Sequence, residues 1–193
     1  SSVTSSGTDL VLTLNMARQG GYTNGTLNVY IYAVDQQANG SGWTQTGTWG
    51  TASAPVAPTV AASSPSTSTS LTQTISVTGR DGNGFADIQR IYFLLNANTS
   101  ITAGSCHGFY DRPSNSVFLY NDALTALVGP ITPGTAGTVQ NGRCAIDGAA
   151  SSVTTSGTDV VLNLNVTRQG AYSNGTLNFY VWVVDFAATG TGW

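Results

Sequence analysis

The fold is decided by residues 160–166, which read VVLNLNV. Every second residue from Val160 to Val166 is apolar, and two of the three residues between them are asparagine. This alternation is typical of a β-strand that buries one face. Residues 10–16 read LVLTLNM and repeat the pattern. The predicted buried faces carry Leu10, Leu12, Leu14 and Met16 in the first strand and Val160, Leu162, Leu164 and Val166 in the second.

These two strands belong to a repeat. Residues 1–43 read SSVTSSGTDLVLTLNMARQGGYTNGTLNVYIYAVDQQANGSGW, and residues 151–193 read SSVTTSGTDVVLNLNVTRQGAYSNGTLNFYVWVVDFAATGTGW. The offset is 150 residues without a gap, and 28 of the 43 aligned positions are identical. A full period covers residues 44–193, so residues 1–43 match the last part of a preceding period. We expect a periodic protein in which residues 1–43 are completed by an earlier part of a longer chain or by a neighbouring subunit.

The composition favours β-structure. All six basic residues are Arg and all nine acidic residues are Asp, so the helix-favouring Lys and Glu are absent. The 23 glycines, together with abundant Ser, Thr and Asn, are typical of strands and tight turns. A net charge of −3 without a basic cluster argues against nucleic acid as a partner. Since no apolar run approaches the roughly 20 residues of a membrane span, no membrane insertion is expected.

Further strands follow at short intervals. Asn–Gly pairs at residues 24–25, 141–142 and 174–175 mark turns. Short strands separated by turn signals, without a convincing helix, predict an all-β antiparallel sandwich. The remaining predicted strands are residues 27–34, 71–78, 88–96, 106–111, 116–120, 138–146 and 177–184.

Three further segments read ISVTGRDGNGFADI at residues 75–88, IYFLL at residues 91–95 and LNFYVWVVDFAATGTGW at residues 177–193. They resemble bacterial immunoglobulin-like repeats of an uncharacterised type found in large secreted proteins. The hairpin GSCHGFYDRPSNSVFLYNDA at residues 104–123, with GTVQNGRC downstream, resembles the same type. The resemblance implies an immunoglobulin-like β-sandwich in a tandem repeat with a period of 150 residues.

The repeat and a proline-containing linker also indicate a division of the chain. Prolines at 55, 58 and 65 among Ser and Thr indicate a stiff linker whose early part, around residues 58–62, becomes an edge strand. The expected parts are residues 1–49 as the C-terminal half of a preceding repeat, residues 50–72 as linker and first edge strand, and residues 73–193 as an immunoglobulin-like sandwich with a disulfide-bearing hairpin insertion at residues 104–147.

The two cysteines, Cys106 and Cys144, are expected to form a disulfide. A zinc site would lack ligands, because the chain has one histidine and no other cysteine. Two free thiols are the alternative. A disulfide closing a loop of 37 intervening residues would stabilise the fold by roughly 3–4 kcal/mol. It would also indicate an oxidising location, so we expect the chain to be extracellular or on the cell surface.

A calcium site is one interpretation of residues 81–87, which read DGNGFAD. Oxygen-bearing side chains alternate there around a glycine turn, as in calcium loops. In an immunoglobulin-like layout this loop lies at the same end as Asp185, so Asp81, Asn83, Asp87 and Asp185 are the candidate ligands. The alternative is a polar turn without a cofactor, in which Asp and Asn bond to backbone groups.

Aromatic residues are expected to form an interface. Tyr180 and Trp182 lie on the face of their strand opposite the aliphatic residues. Three explanations stay open: the insertion at residues 104–147 covers them, a neighbouring subunit contacts them, or they stack on sugars. The predicted interface residues are Tyr30, Tyr32, Trp43, Trp49, Tyr180, Trp182 and Trp193.

The favoured function is a structural repeat of an extracellular filament or giant surface protein, with copies of itself as the partner through end-to-end and strand-complementing contacts. The alternative is a spacer or ligand-binding module of an adhesin that engages a glycan or host surface. The chain is not expected to be an enzyme. His107 is its only histidine and no nucleophile motif accompanies it, and the nine Asp residues are scattered.

Overall fold

Antiparallel β-strands make up most of the regular structure of the chain, in a computed structural model that describes residues 1–19, 26–50 and 55–193. The described residues contain no α-helix and two short 3-10 turns, Phe85–Asp87 and Gly170–Ser173. The strands are β1 (Ser2–Ser6), β2 (Asp9–Thr13), β3 (Leu27–Ile31), β4 (Thr44–Trp49), β5 (Thr59–Ser64), β6 (Thr72–Arg80), β7 (Ile88–Asn96), β8 (Cys106–Asp111), β9 (Ser116–Tyr120), β10 (Leu127–Ile131), β11 (Thr138–Gln140), β12 (Cys144–Ser156), β13 (Asp159–Arg168) and β14 (Asn178–Asp185).

The chain divides into two units, Ser1–Ala54 and Pro55–Trp193. The second unit contains two five-stranded sheets, with strand orders β10–β9–β8–β7–β14 and β11–β12–β13–β6–β5. One buried apolar cluster draws residues from both sheets, so the sheets pack face to face as a sandwich. The prediction of an all-β antiparallel fold is confirmed.

The core of the second unit forms around β13. This strand pairs with β12 on one side and β6 on the other, so its backbone donors and acceptors are satisfied on both edges. Its apolar residues from Val160 to Val166 point into the buried cluster, as the alternation predicts. Burying each of these side chains contributes about 1.5–3 kcal/mol, which makes β13 a main source of the unit's stability.

In the other sheet, β14 also turns one face toward the core. Val183 belongs to the core, and Phe179 and Val181 pack against it. Tyr180 and Trp182 therefore occupy the opposite face, because successive side chains of a strand alternate. β14 pairs only with β7 and lies at the edge of its sheet.

The edge of the opposite sheet is formed by β5. It pairs with β6 and follows Pro58, and edge strands tolerate proline because one side of their backbone needs no partner. β5 lies within the expected linker region, residues 50–72, and the two units divide in the same region.

The expected strand at residues 138–146 is wrong as a single element. The chain turns at Asn141 to form the hairpin β11–β12. The Asn141 side-chain oxygen accepts the N–H groups of Arg143 and Cys144, and its amide group donates to the carbonyls of Ser105 and Tyr120. One asparagine thus closes the turn and ties it to two neighbouring strand ends.

The described residues of the first unit form two separate two-stranded sheets, β1–β2 and β3–β4. The expected strand at residues 10–16 ends at Thr13, and residues 14–19 have no regular structure. The turn predicted at residues 24–25 lies outside the described residues.

Candidate functional site

The first unit exposes the apolar residues that the sequence predicts to be buried. Leu10, Leu12, Leu14 and Met16, here called the exposed leucine row, have 73%, 57%, 51% and 53% of their surface accessible. The aligned residues of the second unit are Val160, Leu162, Leu164 and Val166, with 0%, 0%, 1% and 3% accessible. The prediction of a buried face is therefore confirmed for the second strand. The first strand leaves its apolar face open within this chain, and the covering of that face by another segment stays a prediction.

The difference follows from the strands around each copy. In the second unit, β13 is covered by strands that lie in residues 72–140 and by β12 and β14. Residues 1–54 contain no counterpart of residues 72–140. Among the described residues of its unit, β2 pairs only with β1, and no sheet faces it.

The predicted interface aromatics of the first unit are largely accessible. Tyr30, Tyr32 and Trp43 are exposed, and the rings of Tyr32 and Trp43 are 5.5 Å apart. Trp49 is half-buried, and the Arg18 guanidinium lies 5.8 Å from the centre of its ring.

In the second unit, the predicted aromatics belong to a wider face. Strand pairing places Trp182 opposite Tyr92, Tyr92 opposite Phe109, and Phe109 opposite Phe118. The ring centres in this row are 5.2–5.9 Å apart. We call the outer aromatic face the set Tyr92, His107, Phe109, Phe118, Tyr120, Tyr180, Trp182 and Trp193.

The insertion at residues 104–147 supplies part of this face. Its strands β8 and β9 extend the sheet sideways from β7, so they add rings beside Tyr92 and Trp182. The interpretation that the insertion folds over these aromatics is wrong for β8 and β9. Sequence reasoning missed the contribution of Phe109 and Tyr120, because their position depends on the register between strands.

His107 lies within the outer aromatic face. Its ring stacks on Tyr120 at 4.8 Å and meets the edge of Trp193 at 5.8 Å. Neither ring nitrogen has a hydrogen-bond partner among the described residues. Burial lowers the pKa of His107 to about 4, so the ring is neutral at physiological pH.

The disulfide between Cys106 and Cys144 is confirmed. It joins β8 to β12, and these strands belong to opposite sheets, so the bond ties the two layers of the sandwich together. Both cysteines are buried in the core cluster.

Three of the four predicted calcium ligands converge. Asp81 directly follows β6, Asp87 directly precedes β7, and Asp185 ends β14. One oxygen from each carboxylate lies within 4.8 Å of the others, and we call these three residues the acidic cluster. The fourth candidate, Asn83, uses its side-chain oxygen to accept the N–H of Val56 at 2.7 Å.

The acidic cluster holds a buried oxygen without a donor. Asp81 is fully buried; one oxygen accepts the N–H of Asn83 at 2.7 Å, and the other has no partner in the described part of the chain. Burial raises the pKa of Asp81, and the charges of Asp87 and Asp185 raise it further. Asp185 is also fully buried, and both of its oxygens accept hydrogen bonds from Thr189.

Two arginines that are close to the acidic cluster along the chain or at the end of a neighbouring strand bond to other groups. Arg80 precedes Asp81 in the chain but forms two hydrogen bonds of 2.7 Å with Asp159. Arg112 donates to the carbonyl of Ile88 and lies over the ring of Phe186. Within the described ranges, neither forms an ion pair with the acidic cluster.

Comparisons of the chain with protein-family models, curated proteins and solved structures find no match. In the described residues, no helix is long and apolar enough to cross a membrane. The function must therefore be inferred from the surfaces and clusters of the chain itself.

Proposed function

We propose that the chain is a structural repeat of an extracellular filament or giant surface protein, built from immunoglobulin-like units of the bacterial type that it resembles. In this role it is not an enzyme, and its partners are further units of the same kind. The exposed leucine row carries the proposal, because the aligned residues of the second unit form a core. Contiguous exposed apolar residues mark surfaces that another protein segment covers.

The partner of the exposed leucine row is inferred from the second unit. There, residues 44–150 supply the strands that pair with β13 and β14 and the sheet that faces them. We infer that an equivalent segment of a neighbouring unit covers residues 1–43 and brings a counterpart of β6 alongside β2.

The disulfide supports the extracellular location. Structural disulfides persist in oxidising compartments, and this one is buried between two sheets, where reductants reach it poorly. End-to-end contacts between units would stabilise each unit further, because in repeat proteins the interfaces between adjacent units add to the stability of each single unit.

The test supplies the proposed partner. A second copy of residues 44–150 is placed before Ser1 in the same chain, and amide hydrogen exchange is measured along residues 1–43. We expect their protection to rise to the level of residues 151–193, because β2 gains a paired strand and a facing sheet. Leu12→Asp should abolish this gain, whereas Thr13→Asp, on the other face of β2, should leave it. Unchanged exchange of residues 1–43 in the extended chain would refute the proposal.

The outer aromatic face favours a second function, a ligand-binding module of an adhesin that stacks on glycans. Trp193 and Tyr120 are partly accessible, and flat rings in a row suit sugar rings. Retardation of the chain in polysaccharide-containing gels, lost in Trp182→Ala but kept in Tyr30→Ala, would support it. Equal mobility with and without polysaccharide would contradict it.

A further inference from the structure

Beyond self-assembly, we propose that the acidic cluster of the second unit binds one calcium ion through Asp81, Asp87 and Asp185. Three segments of the chain build the cluster: the end of β6, the 3-10 turn before β7 and the end of β14. The cluster lies within one unit, so the inference does not depend on how units associate.

The unpartnered oxygen of Asp81 is the observation that points to a ligand. A buried carboxylate oxygen is costly unless a donor or a cation satisfies it. Asp81 is fully buried, and this oxygen has no hydrogen-bond partner among the residues described. It belongs to the carboxylate that shares the cluster with Asp87 and Asp185, so one cation can contact all three side chains.

The charges also favour a cation. Three carboxylates crowd into a small volume, and the structure records no arginine paired with them over residues 55–193. Like charges at such separations repel strongly when they are partly removed from water. A divalent ion would cancel most of the local charge.

Calcium suits the oxygen spacing. Calcium–oxygen distances of about 2.3–2.6 Å allow two ligand atoms of one ion to lie up to about 5 Å apart. The cluster oxygens all lie within 4.8 Å of one another, so one calcium ion can reach all three. A set of oxygen ligands without His or Cys also favours calcium over zinc.

The first unit supplies a matched control for one ligand. Asp35 aligns with Asp185, and it accepts hydrogen bonds from the N–H groups of Gln37 and Asn39 and from the Asn39 amide. Residues 1–54 contain no counterparts of Asp81 and Asp87, so Asp35 is an equivalent carboxylate without the other two ligands.

The test is a calcium titration of the full chain. Calorimetry with CaCl2 up to 10 mM should show one site with a dissociation constant between about 10 μM and 1 mM, and the melting temperature should rise by about 4–15 °C over that in EDTA. Asp87→Asn should remove both responses, because it takes away one of the three carboxylates of the cluster. The fold should tolerate the substitution, since Asp87 is half-exposed. Asp35→Asn should keep both.

Two outcomes would overturn the inference: no heat and no melting shift at 10 mM CaCl2, or full calcium binding by Asp87→Asn. A response to MgCl2 equal to that to CaCl2 would refute the choice of calcium. Nuclear magnetic resonance can locate the calcium site in the unsubstituted chain. Calcium should shift the amide signals of residues 81–87 and 185–189, and shifts confined to other residues would also overturn the assignment.

Discussion

Residues 1–43 and residues 151–193 share 28 of 43 positions, but the aligned apolar residues of β2 and β13 differ in burial. Leu12 is 57% exposed, whereas Leu162, at the aligned position, is fully buried. Each copy forms a β-hairpin, β1–β2 in the first and the end of β12 with β13 in the second. A hairpin is thus encoded by its own residues, whereas a core requires strands from elsewhere.

The turn that follows β3 and β14 confirms that local structure is shared. In both copies a bridge closes the turn, Val34 to Gly40 in one and Val184 to Gly190 in the other. Ala38 and Ala188 have φ angles of 64° and 60°, an uncommon conformation for alanine, at the same place in the turn. Contacts within ten residues therefore form alike in both copies, although only one of them lies beside a closed core.

The largest effect is expected when the same leucine side chain is shortened to alanine in each copy. Leu162→Ala should lower the free energy of unfolding of the second unit by about 3 kcal/mol, because it leaves a cavity in a closed core. Leu12→Ala should change stability by less than about 0.5 kcal/mol, since Leu12 is mostly accessible. Urea denaturation measures both, and similar losses for the two variants would show that the first copy is also packed.

Acidification should weaken only the second unit through His107. Above pH 6.5 this histidine is neutral in both the folded and unfolded states. Below pH 6.5 the unfolded histidine takes up a proton, whereas the folded one, with its pKa near 4, does not. The second unit should therefore lose about 2–3 kcal/mol between pH 6.5 and pH 4.

His107→Phe serves as the control for this loss. Phenylalanine keeps a ring between Tyr120 and Trp193 but carries no proton. The variant should melt with a shallower dependence on pH over the same interval. An identical pH dependence in the variant would show that other groups cause the loss.

The smallest expected difference between the copies concerns Gly40 and Gly190, the aligned glycines of the turns that follow β3 and β14. A Cβ at Gly190 would lie 2.3 Å from the indole nitrogen of Trp182 and 2.9 Å from a backbone oxygen, so Gly190→Ala should cost about 1–2 kcal/mol. A Cβ at Gly40 would meet the tip of the exposed Tyr32 side chain, which can move away. Thermal melts should therefore show little effect of Gly40→Ala, and a larger loss than for Gly190→Ala would contradict this explanation.

Apolar alternation predicted the strands that border the core, and it failed where alternation is weak. β10 was missed because it contains Gly129 and Pro130, which usually mark turns, and its register with β9 is irregular there. The second half of β12 was missed because its residues are mostly polar and exposed. Alternation predicts the apolar face of residues 10–16, but no local pattern tells whether a facing sheet is present in the same unit.

The candidate sites show the same limit. The sequence predicted the convergence of Asp81, Asp87 and Asp185 because loops at one end of a sandwich lie close together. It could not reveal that Asn83 would instead bond to Val56, since residue 56 is far away along the chain. The row from Trp182 to Phe118 required the register of four strands, which alternation alone does not provide.

The link between Cys106 and Cys144 has a mechanical consequence for a unit pulled from both ends. When the unit unfolds, the residues between the two cysteines stay outside the stretched path, because the bond carries the load past them. With a sequence separation of 38, the bond shortens the fully extended chain by about 130 Å. Under tension such a unit would yield in a short step and keep a closed loop that can refold quickly.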